Sequence, residues 1–122
     1  MEELHSRLHH KEKRWEPGQE WANNYLKEVL SGKIPNVAPQ LDTIPNKKVA
    51  VPDKETAISI AVSIWIPIYG KKQIDSESPY FAYLVGDYWV VTGSLPENTV
   101  GGTATAVISK KDGKITHVIH SQ

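Results

Sequence analysis

Four of the five histidines in this sequence stand at spacings that could support chemistry. His5 and His9 are four residues apart, so a helix would place both imidazoles on one face, as some metal sites require. No carboxylate or further ligand stands at a recognisable metal-site spacing, so a solvated terminal segment is the preferred interpretation. His117 and His120 are three apart in a strand-like run, which places them on opposite faces unless a bulge intervenes. Neither pair predicts a metal site, and no cofactor is expected.

Residues 92–102, "TGSLPENTVGG", form the second candidate because they are rich in glycine. A phosphate-binding loop needs a strand, a glycine-rich turn and then a helix whose amides face the anion. Here Gly101 and Gly102 are followed by "TATAVISK", which has the pattern of a strand, and no phosphate-loop lysine or GxGxxG is present. The stretch therefore predicts a strand connection, with Gly101 or Gly102 at a positive φ or at a bulge.

Acid–base catalysis would need a carboxylate or a histidine in a pocket. Asp75, Glu77 and Asp87 lie in turn-like segments, where acidic side chains are usually solvated. Ser94 lacks the strand–turn–helix context of a nucleophilic serine. The sequence therefore predicts no catalytic residue and favours a protein that is not an enzyme.

The composition excludes several other classes of function. Lysine plus arginine equals aspartate plus glutamate at 14 each, so nothing favours broad electrostatic binding to nucleic acid or to an anionic membrane. The absence of cysteine excludes disulfides, thiolate catalysis and cysteine-based zinc sites. The first residues, "MEELHSRLHHKEKRW", lack the apolar centre of a secretory signal. We expect a cytoplasmic protein, or a periplasmic one if a signal peptide was trimmed.

Two elements precede the strongest helical pattern. Residues 1–32 look helical, with Pro17 near the start of an amphipathic window and Gly32 after its last apolar turn. The apolar stripe of that window consists of Trp21, Tyr25, Leu26, Val29 and Leu30. Residues 33–52 hold four of the eight prolines, which indicates a connector.

The stretch "DKETAISIAVSIWIPIYG" predicts a long, buried helix. Asp53 is a good N-cap, since its carboxylate can accept from the free amides of the first turn. The apolar residues at helical spacing are Ala57, Ile60, Ala61, Ile64, Trp65 and Ile68. We expect Trp65 to be buried between this helix and a sheet, Pro67 to kink or end the helix, and Gly70 to close it.

From residue 80 the pattern changes to a period of two. The strand candidates are "YFAYLVG", "YWVVTGSL", "GTATAVISK" and "KITHVIHS". Gly86-Asp87 and Asp112-Gly113 mark tight hairpins between the first two and the last two. The predicted fold class is α+β, with an antiparallel meander packed on the long helix. Trp89 is expected in the core, and Tyr80, Tyr83 and Tyr88 at partly exposed positions.

The run from Val51 to His120 resembles the NTF2-fold immunity proteins of the YbbC/YhhH type, which belong to bacterial polymorphic toxin systems. The motifs that carry the resemblance are "VPDKETAISIAVSIWIPIYGKK", "GDYWVVTGSLP" and "GGTATAVISKKDGKITHVIH". The resemblance implies an NTF2-like fold, in which a long helix packs on a curved antiparallel sheet of about four strands. It divides the chain into an N-terminal helical segment and proline-rich connector, residues 1–50, and an immunity core, residues 51–122.

The resemblance also implies a function, which is to bind and neutralise a cognate toxin protein. It carries over no catalytic residues. For the toxin surface we predict a patch around the first hairpin that combines carboxylates with rigid aromatic rings: Asp75, Glu77, Tyr83, Asp87 and Tyr88. The alternative is a small-molecule-binding or enzymatic NTF2-like protein that uses a cone cavity, and a third option is a periplasmic structural or inhibitor module. No nucleic acid or membrane partner is predicted, and the sequence leaves the oligomeric state open.

Overall fold

The structure is a computed structural model that describes residues 16–34, 50–96 and 102–120. Its elements are α1 (Gln19–Leu30), α2 (Lys54–Tyr69), α3 (Lys71–Asp75), β1 (Phe81–Val85), β2 (Tyr88–Thr92), β3 (Ala104–Ser109) and β4 (Ile115–His120). His5, His9 and Gly101 lie outside the described residues, as does most of the predicted connector. The proposed boundary between residues 1–50 and 51–122 stays a prediction.

The amphipathic window forms α1 as predicted, except for one residue of its apolar stripe. Ala22, Leu26 and Val29 are buried at spacings of four and three, which keeps them on one helix face. Leu30 was expected to join them, but it is 63 % exposed. It lies about 100° around the helix from Val29, which already occupies the inward position.

The long helix α2 begins at its predicted cap. The Asp53 carboxylate accepts a hydrogen bond from the Thr56 amide at 2.8 Å. Three residues spaced four apart have no exposed surface: Ala57, Ala61 and Trp65. Pro67 does not end the helix, which continues to Tyr69 and closes at Gly70, where φ is 97°. Gly70 accommodates this positive φ because it has no Cβ.

The four strands form one antiparallel sheet in the order β1-β2-β3-β4, which confirms the predicted meander. Alternation along β2 divides the core between the two faces of the sheet. Trp89 and Val91 pack with the buried side of α2, whereas Val90 packs with α1 and with Val107 of β3. The described part of the chain is therefore an α+β arrangement with a helix on each side of the sheet.

The sheet has two ends, and the site depends on the difference between them. The hairpin end contains the β1–β2 turn and the β3–β4 turn, where the Lys110 amide donates to the Asp87 carbonyl at 2.8 Å. The α3 end contains the start of β1, the end of β2, the start of β3 and the end of β4. The Val51 amide donates to the Lys110 carbonyl, so α2 begins near the hairpin end.

Candidate functional site

The structure separates the five residues predicted to bind a partner. Asp87 lies in the β1–β2 turn at the hairpin end, whereas Asp75 and Glu77 precede β1 at the α3 end. The five-residue strand β1 stands between them and spans about 13 Å. Asp75 and Asp87 therefore belong to opposite ends of the sheet, and one compact patch around the first hairpin does not include both.

The two tyrosines of the predicted patch are partly exposed, as expected, but Tyr83 also has an internal role. The Gly18 amide donates to the Tyr83 hydroxyl at 3.0 Å. The Tyr83 ring meets Trp21 edge-on, with 6.4 Å between ring centroids. Tyr83 therefore helps to hold the start of α1 on the sheet. Tyr88 packs beside the same cluster and lies next to the turn.

The hairpin end presents charged and apolar groups together. The Asp87 carboxylate is 64 % exposed and lies 3.4 Å from the Lys111 ammonium. Leu84 is 39 % exposed and is one of two large apolar side chains that are exposed in the described ranges. It lies on the face of the β1–β2 hairpin that packs against α2. Tyr88 lies on the α1 side. A partner that docks on the hairpin end would contact an apolar area surrounded by charged groups, which is the usual composition of a protein interface.

Glu77 is not a solvated turn residue, and that expectation was wrong. Its side chain has no exposed surface. The Ala104 amide donates to carboxylate atom Oε1 at 2.8 Å, and the Gln73 amide nitrogen donates to Oε2 at 2.9 Å. His120 Nε2 lies 2.7 Å from Oε2, so the imidazole N–H donates to the same oxygen. These three donors replace water around the buried carboxylate.

The backbone around Glu77 adds further links between elements. The Glu77 carbonyl accepts from both the amide and the hydroxyl of Ser94, at 2.8 and 3.2 Å. Gly93 lies against the carboxylate so closely that an added Cβ would be 2.5 Å from Oε1. Glu77 thereby connects the turn after α3 with the end of β2, the start of β3 and the end of β4. We name this arrangement the Glu77 anchor.

His117 and His120 lie on opposite faces of β4, which confirms the prediction from their spacing. His120 pairs with Ala104 on the α2 side, whereas His117 Nε2 lies 3.1 Å from the Ile34 carbonyl beyond α1. The His120 imidazole is 21 % exposed, and its ring centroid is 5.1 Å from that of Tyr69. In the described ranges, no three histidine, aspartate or glutamate side chains are grouped as a metal site would require.

Several buried polar atoms lack hydrogen-bond partners in the described part of the chain. They are the Tyr25 and Tyr69 hydroxyls, Trp65 Nε1 and His117 Nδ1. Burial raises the pKa of Tyr25 to about 12, and the nearby Thr105 hydroxyl offsets part of that rise. Burial also raises the pKa of Tyr69, with a further contribution from the charge of Glu77. Both phenols therefore stay neutral at physiological pH.

The sequence contains no local signal for the Glu77 anchor, because the partners of Glu77 are far apart along the chain. Ala104 and His120 are 27 and 43 residues away from it. Only the Gln73–Glu77 contact has a local spacing, and an i,i+4 pair is common on any helix surface. The sequence places Gly93 in a strand connection, whereas the structure shows that its missing side chain makes room for the carboxylate.

A family model described as NTF2 fold immunity protein matches residues 56–122, more than half of the chain. The uncharacterized protein YbbC of Escherichia coli (strain K12) is 36 % identical to this chain over 55 residues. That alignment covers 44 % of this chain and 45 % of YbbC, so the chain matches less than half the length of its curated relative. No solved structure matches. The matched region includes the sheet and the whole Glu77 anchor, whereas α1 precedes it. In the described ranges, no helix has the length and apolar character needed to cross a membrane.

Proposed function

The chain belongs to the NTF2-fold immunity protein family, and on that basis we propose that it binds and neutralises a cognate bacterial toxin domain. The observation that carries this proposal is the family match, which spans the sheet, α3 and nearly all of α2. Neutralisation of this kind is stoichiometric: the protein occupies a surface of the toxin and performs no turnover.

The surroundings of Glu77 argue against this carboxylate as a general acid or base. A carboxylate in that role must exchange protons with a substrate or with water. The Glu77 carboxylate instead has no exposed surface and accepts from three donors on three different elements. A carboxylate in these surroundings fixes structure, and it offers no exposed oxygen to a ligand.

We place the toxin-binding surface at the hairpin end, around Asp87 and Tyr88 with Leu84 beside them. Exposed apolar area next to opposite charges favours this end over the α3 end. At the α3 end the exposed Asp75 carboxylate pairs with Lys71 at 2.6 Å, much as Asp87 pairs with Lys111, so it is the exposed Leu84 that favours the hairpin end. Glu77 is excluded from any direct contact by its burial.

One observation favours a rival function. A buried acid next to a partly exposed histidine is the pair that an enzymatic NTF2-like protein would need, and Glu77 with His120 provides it. In that rival the imidazole would act on a small molecule and Glu77 would orient the ring. His120→Gln distinguishes the two functions. The rival predicts that this substitution abolishes turnover, whereas the immunity proposal predicts that toxin binding stays intact.

The experiment is co-expression with a candidate toxin domain, chosen from the genes that flank this gene in its host. The wild type should restore growth, and Asp87→Arg combined with Tyr88→Ala should restore it less. Asp75→Arg is the matched control, since it also reverses an exposed, lysine-paired carboxylate but lies at the other end of the sheet. Circular dichroism checks that each variant is folded.

Equal rescue by all variants would move the interface away from the hairpin end. Weaker rescue by Asp75→Arg alone would place the interface at the α3 end. No rescue by the wild type, together with conversion of a small molecule that His120→Gln abolishes, would contradict the immunity proposal and support the rival.

A further inference from the structure

Beyond its first two residues, Lys54 and Glu55, the outer side of α2 lacks the charged residues that a solvated helix surface normally carries. Residues 56–70 contain no charged side chain. Ser59, Ser63 and Pro67 are exposed along this side, and aliphatic residues on both flanks are only partly buried. By contrast, the outer side of α1 carries a mixture of charged and amide side chains: Glu20, Asn23, Asn24, Lys27 and Glu28.

The described neighbours of α2 leave this outer side uncovered. The helix packs on β1, β2 and β3 through its inner side and meets α3 at its end. A helix that is apolar most of the way round is normally buried on more than one side. The outer side of α2 therefore has the composition of a covered surface.

We propose that a second copy of this chain covers it, with the two α2 helices packed antiparallel about a twofold axis near Ser63. The distribution of charge at the two ends of α2 supports this arrangement. The N-terminal end carries the exposed carboxylates Asp53 and Glu55 with Lys54 between them, a net charge of −1, whereas Lys71 and Lys72 follow the C-terminal end. Antiparallel packing brings the acidic end of each helix to the basic end of the other.

The positions along the helix are consistent with this symmetry. Glu55 precedes Ser63 by eight residues, about 12 Å at helical rise, and Tyr69, the last residue of α2, follows Ser63 by six residues, about 9 Å. A twofold axis at Ser63 therefore brings Glu55 of one copy toward the C-terminal end of α2 in the other copy, where Lys71 and Lys72 begin α3. Lys71 already pairs with Asp75 in its own chain, so Lys72 is the cation assigned to the second copy.

The interface is small, and the dimer should be weak. A 16-residue helix is about 24 Å long and about 10 Å wide, so one helix pair buries well under the ~800 Å² per partner of a standard interface. We expect a dissociation constant on the order of 10–100 µM. The dimer proposal rests on Glu55, Ser63 and Lys72, and the toxin-binding proposal on Leu84, Asp87 and Tyr88, so separate variants test the two.

The decisive test uses Ser63→Cys in the full chain, which has no other cysteine. Packed helices lie 8–10 Å apart, which leaves about 4–5 Å between facing Cα atoms and allows a disulfide. Oxidation with copper phenanthroline should link most of this variant as dimer. Asn23→Cys, on the exposed side of α1, is the matched control and should stay monomeric.

Sedimentation of the wild type and of charge-reversal variants, none of which contains cysteine, provides a second readout. Wild-type mass should rise from monomer toward dimer as the concentration passes about 100 µM. Glu55→Lys or Lys72→Glu alone should weaken this association about tenfold, and the double charge reversal should restore it. A wild type that stays monomeric up to about 500 µM, or equal cross-linking of the two cysteine variants, would overturn the proposal.

Discussion

Replacing Glu77 by alanine should destabilise the protein far more than replacing Asp75, although both are acidic residues just before β1. Glu77→Ala removes a charged acceptor that receives hydrogen bonds from Ala104, Gln73 and His120. It also leaves the Ala104 amide buried without its acceptor. Asp75→Ala removes only an exposed ion pair, whose carboxylate is 54 % exposed.

The size of the effect follows from the hydrogen bonds that the substitution removes. A hydrogen bond to a charged group contributes about 1.5–3 kcal/mol, and breaking a buried pair by removing one partner costs about 3–5 kcal/mol. Because the three bonds share one carboxylate they are not additive, so we expect a loss of about 4 kcal/mol for Glu77→Ala. Asp75→Ala should stay within about 0.5 kcal/mol of the wild type, as surface substitutions usually do.

The assay is urea unfolding followed by tryptophan fluorescence. Glu77→Ala should lower the midpoint by about 2 M with an unchanged slope. If that variant does not fold, the isosteric Glu77→Gln should fold with a loss of about 1–3 kcal/mol, since an amide keeps one acceptor but places a donor where the carboxylate accepted. Equal stability of the Glu77 and Asp75 variants would refute the anchor as a stabilising element.

Three further predictions test other parts of the structure. Gly93→Ala should destabilise by about 1–3 kcal/mol, since its Cβ would lie 2.5 Å from Glu77 Oε1 and 2.8 Å from Glu77 Cβ; wild-type stability in urea would show that the carboxylate can move aside. Trp65→Ala should cost about 3–5 kcal/mol, because the side chain has no exposed surface, and a loss below about 1 kcal/mol would contradict its place in the core. The raised pKa of Tyr25, about 12, predicts stability that is complete below its unfolded value near 10 and is lost as pH rises through 12. Tyr25→Phe should remove that alkaline loss, and identical pH profiles of the two proteins would show that the phenol is not buried.

The sequence predicted those features that depend on neighbours along the chain. The cap at Asp53 and the four-residue spacing of Ala57, Ala61 and Trp65 are local patterns, and the structure confirms them. The period-two runs likewise predicted the strands, and the two hairpin turns predicted their antiparallel order. These signals work because one or two turns of helix, or one pair of strands, determine them.

Features that depend on distant residues were not predictable in this way. Glu77 looked like a solvated turn residue because the donors that bury it come from β3 and β4. Asp75 and Asp87 were expected in one patch because both lie close to β1 in the sequence. The structure places them at opposite ends of the sheet, because β1 runs from one end to the other between them. Leu30 looked like a core residue, but Val29 occupies the inward position one residue earlier. The positive φ expected at Gly101 or Gly102 stays a prediction.

The most direct test of the proposed function is a titration of toxin activity with the purified protein. The candidate toxin domain is chosen from the genes that flank this gene in its host, and its activity is measured as wild-type protein, Asp87→Arg/Tyr88→Ala or Asp75→Arg is added. We expect activity to fall linearly and stop at an equimolar ratio for the wild type and for Asp75→Arg, with weaker inhibition by the hairpin-end variant. Undiminished toxin activity in a large molar excess of the wild-type protein would contradict the proposed function.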